Sequence, residues 1–263
     1  MDLQLVGKVA VVSGGCRGIG RAIVDALLGE GARVVVVDRD TAAGEQLAGA
    51  RAATGDLAFA AGDLAAAGTC ARAIALAQGR FGSVDVLVNN AGRNDGVGLA
   101  AGADAFVQSL RGNLVPAYDL LHHALPALRR ARGAVVNIGS KVAVTGQGGT
   151  SGYAAAKGAL LALTREWALE LAADGVRVNA VLPAEVWTPM YAEWLATQPD
   201  GEAQRARIER SIPLGRRFTT ADEIAAMVVF LASPRSSHTT GQIVFVDGGY
   251  THLDRRATAS DAP

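Results

Sequence analysis

The sequence predicts a single α/β domain in which helices cover both faces of a doubly wound, seven-stranded parallel sheet. Short β-branched runs alternate with helix-sized stretches rich in alanine and leucine, as in βαβ units. No repeat or long linker divides the 263 residues, and an α/β domain of roughly 250 residues can be one unit. A glycine-rich turn follows the first apolar run. We expect one domain over residues 1–253 and a flexible tail over residues 254–263.

The strands are predicted where short apolar runs lie between helical stretches. The run at 57–63 is weaker than the other six. Right-handed crossovers between them place all seven in one sheet. The segment 186–219 interrupts the alternation with two short predicted helices, and we expect this insertion to be a lid over the substrate. In chain order the predicted strands are residues 8–13, 33–38, 57–63, 84–89, 133–140, 176–182 and 242–248.

Composition and charge exclude several classes of function. The formal net charge is zero and the sequence pI is near 6.9, so we expect no nucleic-acid partner and no attraction to an anionic membrane. The longest apolar run, residues 224–232, is too short to span a bilayer. Cys16 and Cys70 have no C-x-x-C spacing and fit reduced thiols, and the four histidines form no metal-ligand pattern. We expect a cytoplasmic protein that acts on a small molecule without a metal.

The turn "SGGCRGIG", between the first strand and the first helix, is the first motif that carries chemistry. Gly14, Gly18 and Gly20 let the backbone turn tightly and approach a pyrophosphate, which then lies at the positive end of the following helix. The next strand ends in Asp38, about twenty residues on, where a carboxylate can bind the ribose hydroxyls. Together these features predict a Rossmann domain that binds a nicotinamide dinucleotide.

Asp38 also bears on the choice of cofactor. Its carboxylate would repel the 2′-phosphate of NADP, so NAD is the predicted cofactor. Arg17 and Arg39 flank it and could attract that phosphate, which leaves NADP as the alternative.

Two further strand ends carry polar groups. Asp63 follows the third strand and is placed to accept a hydrogen bond from the adenine amino group, or else to cap the next helix. The sequence "NNAG", residues 89–92, ends the fourth strand, where a doubly wound sheet changes direction and ligands bind.

Three residues near the fifth strand predict oxidation of an alcohol. Ser140 closes that strand, while Tyr153 and Lys157 lie four residues apart, on one face of the following helix. A tyrosinate can accept the hydroxyl proton if a nearby ammonium lowers the pKa of the phenol, and Lys157 would supply that charge. Lys157 could also hold the nicotinamide ribose, and Ser140 could orient the substrate oxygen. The alternative is that Tyr153 and Lys157 form an ordinary surface pair.

These motifs, with Asn113 in "RGNL" and "YAAAK" at residues 153–157, resemble the short-chain dehydrogenase/reductase family in order and spacing over nearly the whole chain. The resemblance implies that Ser140, Tyr153 and Lys157 are catalytic. It implies that Asn113 holds a water in a proton relay from Lys157, the alternative being a structural role in its helix. It also implies a homotetramer, and it extends the cofactor site to Ile19, Leu64, Asn90, Ala91, Gly92, Pro183, Val186 and Thr188.

Several segments, among them "SKVAVTGQGGTSGY" and "PAEVWTP", are similar to the bacterial sugar dehydrogenases of that family, and to L-fucose dehydrogenases in particular. Lys141, Gln147 and Glu185 would be costly to bury beside an acyl chain or a steroid, whereas a sugar can satisfy them. The alternative is that these three side chains face solvent or a contact between subunits. Arg93, after "NNAG", departs from the small apolar residue expected there.

The predicted substrate is therefore an L-fucose-like aldose, oxidised at C1 to a lactone by Ser140 and Tyr153 with Lys141, Gln147 and Glu185 binding the ring. Two alternatives remain open. One is a 3-oxoacyl-carrier-protein or ketosteroid reductase, which predicts an apolar channel and NADPH. The other is a redox-sensing module that binds the dinucleotide without turnover.

Overall fold

Seven parallel strands form the central sheet of the computed structural model, which describes residues 1–253. They are β1 (Val9–Ser13), β2 (Arg33–Asp38), β3 (Leu57–Ala61), β4 (Val86–Asn89), β5 (Ala134–Ile138), β6 (Arg177–Pro183) and β9 (Ile243–Val246). Their order in the sheet is β3-β2-β1-β4-β5-β6-β9, and the predicted seven-stranded parallel sheet is confirmed. The predicted flexible tail, residues 254–263, lies outside the described residues.

Helices connect these strands and cover both faces of the sheet. They are α1 (Gly18–Gly29), α2 (Thr41–Ala50), α3 (Thr69–Phe81), α4 (Gly102–Asn113), α5 (Val115–Ala131), α6 (Ser151–Glu170), α7 (Pro189–Ala196), α8 (Gly201–Ser211) and α9 (Ala221–Ala232). Within residues 1–253, no helix combines the length and the apolar character that a membrane crossing needs.

The alternation of side chains along each strand builds two apolar layers. Val12 and Val36 point to the layer that contains Ile23 of α1 and Ile224 of α9. Val11, one residue earlier on β1, points to the opposite layer, which α3, α5 and α6 supply. Because both faces are covered, the strands are apolar throughout, and this is why they could be located from the sequence.

The direction of winding reverses between β1 and β4. The chain proceeds outward from β1 to β2 and β3, returns to β4 on the other side of β1, and continues through β5 and β6 to β9. The carboxyl ends of β1 and β4 therefore border a crevice, the place where doubly wound sheets bind ligands.

The insertion, residues 186–219, contains the two short helices that the sequence predicted, α7 and α8. Its ends are joined by a feature that was not predicted, a two-stranded parallel ribbon of β7 (Val186–Trp187) and β8 (Thr219–Thr220). Two-residue strands are too short to show a period, so the pattern of the sequence carries no signal for them. The role of the insertion as a lid stays a prediction.

Candidate active site

The glycine-rich turn lies between β1 and α1 and depends on its glycines for two separate reasons. Gly14 and Gly18 have φ angles of +66° and +54°, in the region that side chains disfavour. Gly20 has no room for a side chain, because an added Cβ would lie 2.0 Å from the carbonyl oxygen of Gly14. Together they form a turn whose backbone faces the crevice, as a pyrophosphate site requires.

The sequence "NNAG" holds this turn in place from the neighbouring strand. Nδ2 of Asn90 donates to the carbonyl oxygens of Ser13 and Gly14, at 3.0 and 2.9 Å. The backbone N–H groups of Asn90 and Ala91 donate to Oγ of Ser13, at 3.0 and 3.1 Å. The two strand ends at the reversal point are therefore tied together before any ligand binds.

Asp38 lies at the end of β2, beside the turn. Its Oδ2 accepts from the backbone N–H of Cys16 and its Oδ1 from that of Asp40, both at 3.1 Å. Arg17 forms an ion pair with Asp40 at 2.7 Å, so its charge is already compensated. Arg39 is exposed, and no ion pair of Arg39 occurs within residues 1–253. The carboxylate of Asp38 is therefore oriented by two backbone N–H groups at the end of β2.

Asp63 does not cap a helix. Its Oδ1 accepts from the backbone N–H of Ala65 at 2.9 Å, which closes a local turn, and α3 begins only at Thr69 after Gly68. The carboxylate borders the crevice beside Leu64, where the sequence predicted contact with adenine.

A cleft of about 820 Å³ runs along the carboxyl ends of the strands. All the residues predicted to bind the dinucleotide line it. They are Gly14, Arg17, Gly18, Ile19, Gly20, Asp38, Arg39, Asp63, Leu64, Asn90, Ala91, Gly92, Tyr153, Lys157, Pro183, Val186 and Thr188. The cleft also includes Asn113 and Ser140. A dinucleotide fits this arrangement, because the places without a Cβ lie where its pyrophosphate would approach the backbone.

Ser140, Tyr153 and Lys157 come together at the inner end of the cleft. Lys157 is 2% exposed, and its Nζ donates to the carbonyl oxygen of Ile138 at 2.7 Å. Burial lowers the pKa of Lys157 to about 8. Nζ lies 5.7 Å from the centre of the Tyr153 ring, so both side chains face the same space. Tyr153 and Lys157 therefore do not form the ordinary surface pair that was the alternative.

The predicted effect of Lys157 on Tyr153 is not seen in this structure. The pKa of Tyr153 is raised, chiefly because burial withdraws the phenolate from water; a hydrogen bond with Ser140 lowers it, and the charge of Asp95 raises it. Lys157 is turned toward Ile138 and does not offset the cost of burial. The expectation of a lowered pKa for Tyr153 is therefore corrected, because burial raises it.

Asn113 ends α4 at a break in the helical backbone. Its Oδ1 accepts from the backbone N–H of Arg93 at 2.8 Å. The backbone N–H of Ala117, which in a continuous helix would donate to the carbonyl of Asn113, donates instead to Leu114 at 3.1 Å. Pro116 has no N–H to replace it. The break leaves the carbonyl of Asn113 without the N–H of Ala117, and the water relay at Asn113 stays a prediction.

A buried ladder of polar side chains connects the strands to the helix of Tyr153. Nδ2 of Asn89 on β4 donates to Oδ1 of Asn137 on β5, and Nδ2 of Asn137 donates to Oγ1 of Thr164 on α6, each at 2.9 Å. Because an unmade buried hydrogen bond is costly, this ladder fixes the position of α6 on the sheet.

Two of the residues predicted to bind the sugar, Ser140 and Tyr153, line the cleft, whereas the other three are not among its lining residues. Lys141 forms a close ion pair with Glu185, and its Nζ lies 4.3 Å from the centre of the Tyr250 ring. The other carboxylate oxygen of Glu185 accepts from the hydroxyl of Tyr191 on α7, at 2.7 Å. Lys141 and Glu185 thus pair with each other next to Tyr191, which lines the cleft. Gln147 is exposed on a glycine-rich loop. The binding of the sugar by these three side chains stays a prediction.

Other residues line the cleft without having been predicted. Among them are Asp95, Gln108, Met190, Tyr191 and Glu193, together with Arg93, whose role the sequence left open. Asp95 lies in the loop after β4, so its position after the reversal point was the available signal. The residues of α7 gave no signal, because which of its faces meets the cleft depends on how the insertion packs.

Comparisons with known proteins show which family and which solved structures this chain resembles. The family model described as enoyl-(acyl carrier protein) reductase matches residues 14–251. L-Fucose dehydrogenase of Rattus norvegicus is 40% identical, over 92% of this chain and 89% of its own. The 3-oxoacyl-[acyl-carrier-protein] reductase FabG of Chlamydia pneumoniae is 35% identical, over 96% of this chain and all of its own. The crystal structure of Cj0485 dehydrogenase has a TM-score of 0.92 at 40% identity, covering 97% of this chain and 98% of that one.

Proposed function

Since this chain belongs to the short-chain dehydrogenase/reductase family and is an oxidoreductase that acts on CH–OH groups, we propose that it oxidises an L-fucose-like aldose at C1 with NAD, giving a lactone. The reaction type rests on Ser140, Tyr153 and Lys157 meeting at the inner end of a cleft with a dinucleotide turn. The sugar rests on the 40% identity to L-fucose dehydrogenase over almost the full length of both chains.

The proton chemistry is assigned to this chain's own residues. The hydroxyl of Ser140 orients the anomeric hydroxyl of the ring-form sugar, and Oη of Tyr153 accepts its proton as the C–H bond breaks. Lys157 holds the nicotinamide ribose and passes the proton toward the water at Asn113. When bound, NAD supplies the acceptor for the hydride that leaves C1 and brings a positive charge that favours the tyrosinate.

The preference for NAD rests on Asp38. Both oxygens of its carboxylate are fixed by backbone N–H groups, and the neighbouring Arg17 is held by Asp40. A 2′-phosphate would meet an oriented negative charge with only Arg39 near it as an unpaired cation in the described chain.

A second candidate is a 3-oxoacyl-carrier-protein reductase or another ketone reductase that uses NADPH. The match to FabG of Chlamydia pneumoniae along that protein's entire length favours it. The polar groups at the inner end of the cleft, Asp95 among them, weigh against an acyl chain there.

The deciding experiment follows NAD(P)H absorbance with the purified protein. Aldoses, L-fucose and D-arabinose among them, are offered with NAD and with NADP, and a 3-oxoacyl thioester and a ketosteroid with NADPH and NADH. We expect turnover of L-fucose or a related aldose, with kcat/KM higher for NAD than for NADP. Reduction of the thioester with NADPH, without oxidation of any aldose, would replace the sugar proposal by the acyl one.

We further propose the homotetramer that the family resemblance implies, in the cytoplasm. Four apolar side chains on α4, α5 and α6 are exposed and available to a contact between subunits. They are Val107, Val115, Tyr118 and Leu169. Light scattering coupled to gel filtration measures the mass directly.

A further inference from the structure

Asp95 is a carboxylate at the inner end of the cleft to which the reaction above gives no role. It lines the same cleft as Tyr153 and Asn113, and its charge acts on the Tyr153 phenol. It lies in the loop of residues 93–98, which leads from the end of β4 toward α4.

This loop is fixed to the catalytic residues at three points. The backbone N–H of Arg93 donates to Oδ1 of Asn113 at 2.8 Å, and Nδ2 of Asn113 donates to Oδ2 of Asp95 at 3.3 Å. Farther along, the carbonyl of Val97 accepts from the N–H of Gly152, next to Tyr153, at 3.0 Å. Asp95 is therefore held in position relative to both Asn113 and Tyr153.

The hydrogen-bonding capacity of this carboxylate is largely unused. An ionised carboxylate can accept about four hydrogen bonds. Within residues 1–253, that of Asp95 accepts a single long one from Asn113, and its Oδ1 is enclosed without a partner. An enclosed carboxylate oxygen without a donor is costly, so a donor that enters the cleft would bind it strongly. The torsion about Cβ–Cγ is broad, and either oxygen can turn toward such a donor.

We propose that Asp95 is a specificity-determining residue that binds a substrate hydroxyl on the carbon next to the one being oxidised. A sugar carries such a hydroxyl, whereas a simple alcohol and an acyl chain do not. The carboxylate therefore selects polyhydroxylated substrates at the reacting end of the cleft. This inference rests on the proposed oxidation of an aldose, and it adds Asp95 to Lys141, Gln147 and Glu185 as a predicted source of sugar recognition.

The test combines a change in the protein with a change in the sugar. L-Fucose and its 2-deoxy analogue are compared as substrates, with NAD, for the unmodified protein, Asp95→Ala and Asp95→Asn. We expect Asp95→Ala to lower kcat/KM for L-fucose by about 10- to 100-fold, the range for losing a hydrogen bond to a buried charge. For the 2-deoxy sugar the loss should stay within about 3-fold, because that contact is already absent. Asp95→Asn, which keeps one acceptor oxygen, should fall between.

Two controls separate this role from a general effect. Asp104→Asn changes an exposed carboxylate on α4 that does not line the cleft, and should leave both sugars within about 2-fold. The Kd of NADH should be unchanged in Asp95→Ala, which shows that the cleft is intact.

The outcomes distinguish the two proposals. If the unmodified protein oxidises no aldose, the proposed function fails and this inference fails with it. If it oxidises L-fucose but Asp95→Ala loses the same factor on both sugars, Asp95 acts only through Asn113 or Tyr153, and only this inference is overturned.

Discussion

The sequence predicted the residues of the cleft better in one half of the sheet than in the other. The first half runs from β1 to β4, and the second comprises β5, β6 and the insertion. In the first half every residue predicted to bind the dinucleotide lines the cleft. In the second half Lys141 and Glu185, predicted to bind the sugar, pair with each other and are not among the lining residues. A site made by the backbone follows from the order of the residues, whereas a site made by long side chains also depends on where each side chain turns.

The physical reason lies in what each half must hold. A pyrophosphate binds to N–H groups at a helix end, and the required turn leaves a visible trace in the sequence as glycines at fixed spacing. A sugar binds through side-chain groups, and a long side chain such as that of Lys141 has four rotatable bonds, so its position in the sequence does not fix where its charge lies. The largest effects on kcat or on dinucleotide binding are expected for substitutions that act on one half of the site and leave the other unchanged.

Replacing Tyr153 with Phe should stop turnover without loosening the dinucleotide. General acid–base groups contribute about 10²- to 10⁴-fold, and we expect kcat to fall by about 10³-fold or more. The Kd of NADH, followed by fluorescence, should stay within a few-fold, because only the proton acceptor is removed. Substantial residual kcat would show that another group takes the proton.

Gly20→Ala should have the opposite effect and weaken the binding of the dinucleotide. Its new Cβ would lie 2.0 Å from the carbonyl oxygen of Gly14, so the turn must shift. Forced packing of this kind costs about 1–3 kcal/mol, and we expect NADH to bind about 10- to 100-fold more weakly. Gly29→Ala is the matched control in the same helix, because nothing lies within 4 Å of its added Cβ. Equal Kd values for the two variants would contradict this account of the turn.

Asp38→Ala tests whether a side-chain charge, as well as the backbone turn, determines which dinucleotide binds. We expect the ratio of Kd for NADPH to Kd for NADH to fall by about 10-fold, because repulsion of the 2′-phosphate and acceptance from the ribose are both lost. Titration of each reduced dinucleotide measures it without any substrate. A protein that already binds NADPH more tightly before the substitution would overturn the assignment to NAD.

Glu185→Gln should have the smallest effect, and it tests whether the Lys141 cluster shapes the second half indirectly. Glu185 connects Lys141, next to Ser140, with Tyr191 on α7. Its loss should raise the KM for the sugar about 3- to 10-fold and lower Tm, while leaving the Kd of NADH unchanged. Tyr191→Phe should reproduce the change in KM, and Glu202→Gln, an exposed change on α8, should not. If Tyr191→Phe has no effect, α7 is not held through Glu185.

Much of the fold was predictable because burial of both sheet faces forces apolar runs at every strand. The convergence of Tyr153 and Lys157 was predictable as well, since four residues in a helix place both on one face. The raised pKa of Tyr153 was not, because it depends on how deeply the phenol is buried and where Nζ of Lys157 turns. Asp95 was missed for the same kind of reason, because the loop that carries it has no period and is positioned only by contacts with Asn113 and Gly152.

The ribbon of β7 and β8 brings the two ends of the insertion close together. The chain leaves the sheet region at Trp187 and returns at Thr219, on neighbouring strands whose spacing is about 4.8 Å. The turn between α7 and α8, residues 197–200, can therefore change in length without altering the gap that the insertion bridges, and each doubling of a flexible loop costs only about 0.6 kcal/mol. Recombination within the insertion could therefore give a related enzyme a new substrate, while the sheet and its nucleotide turn stay unchanged.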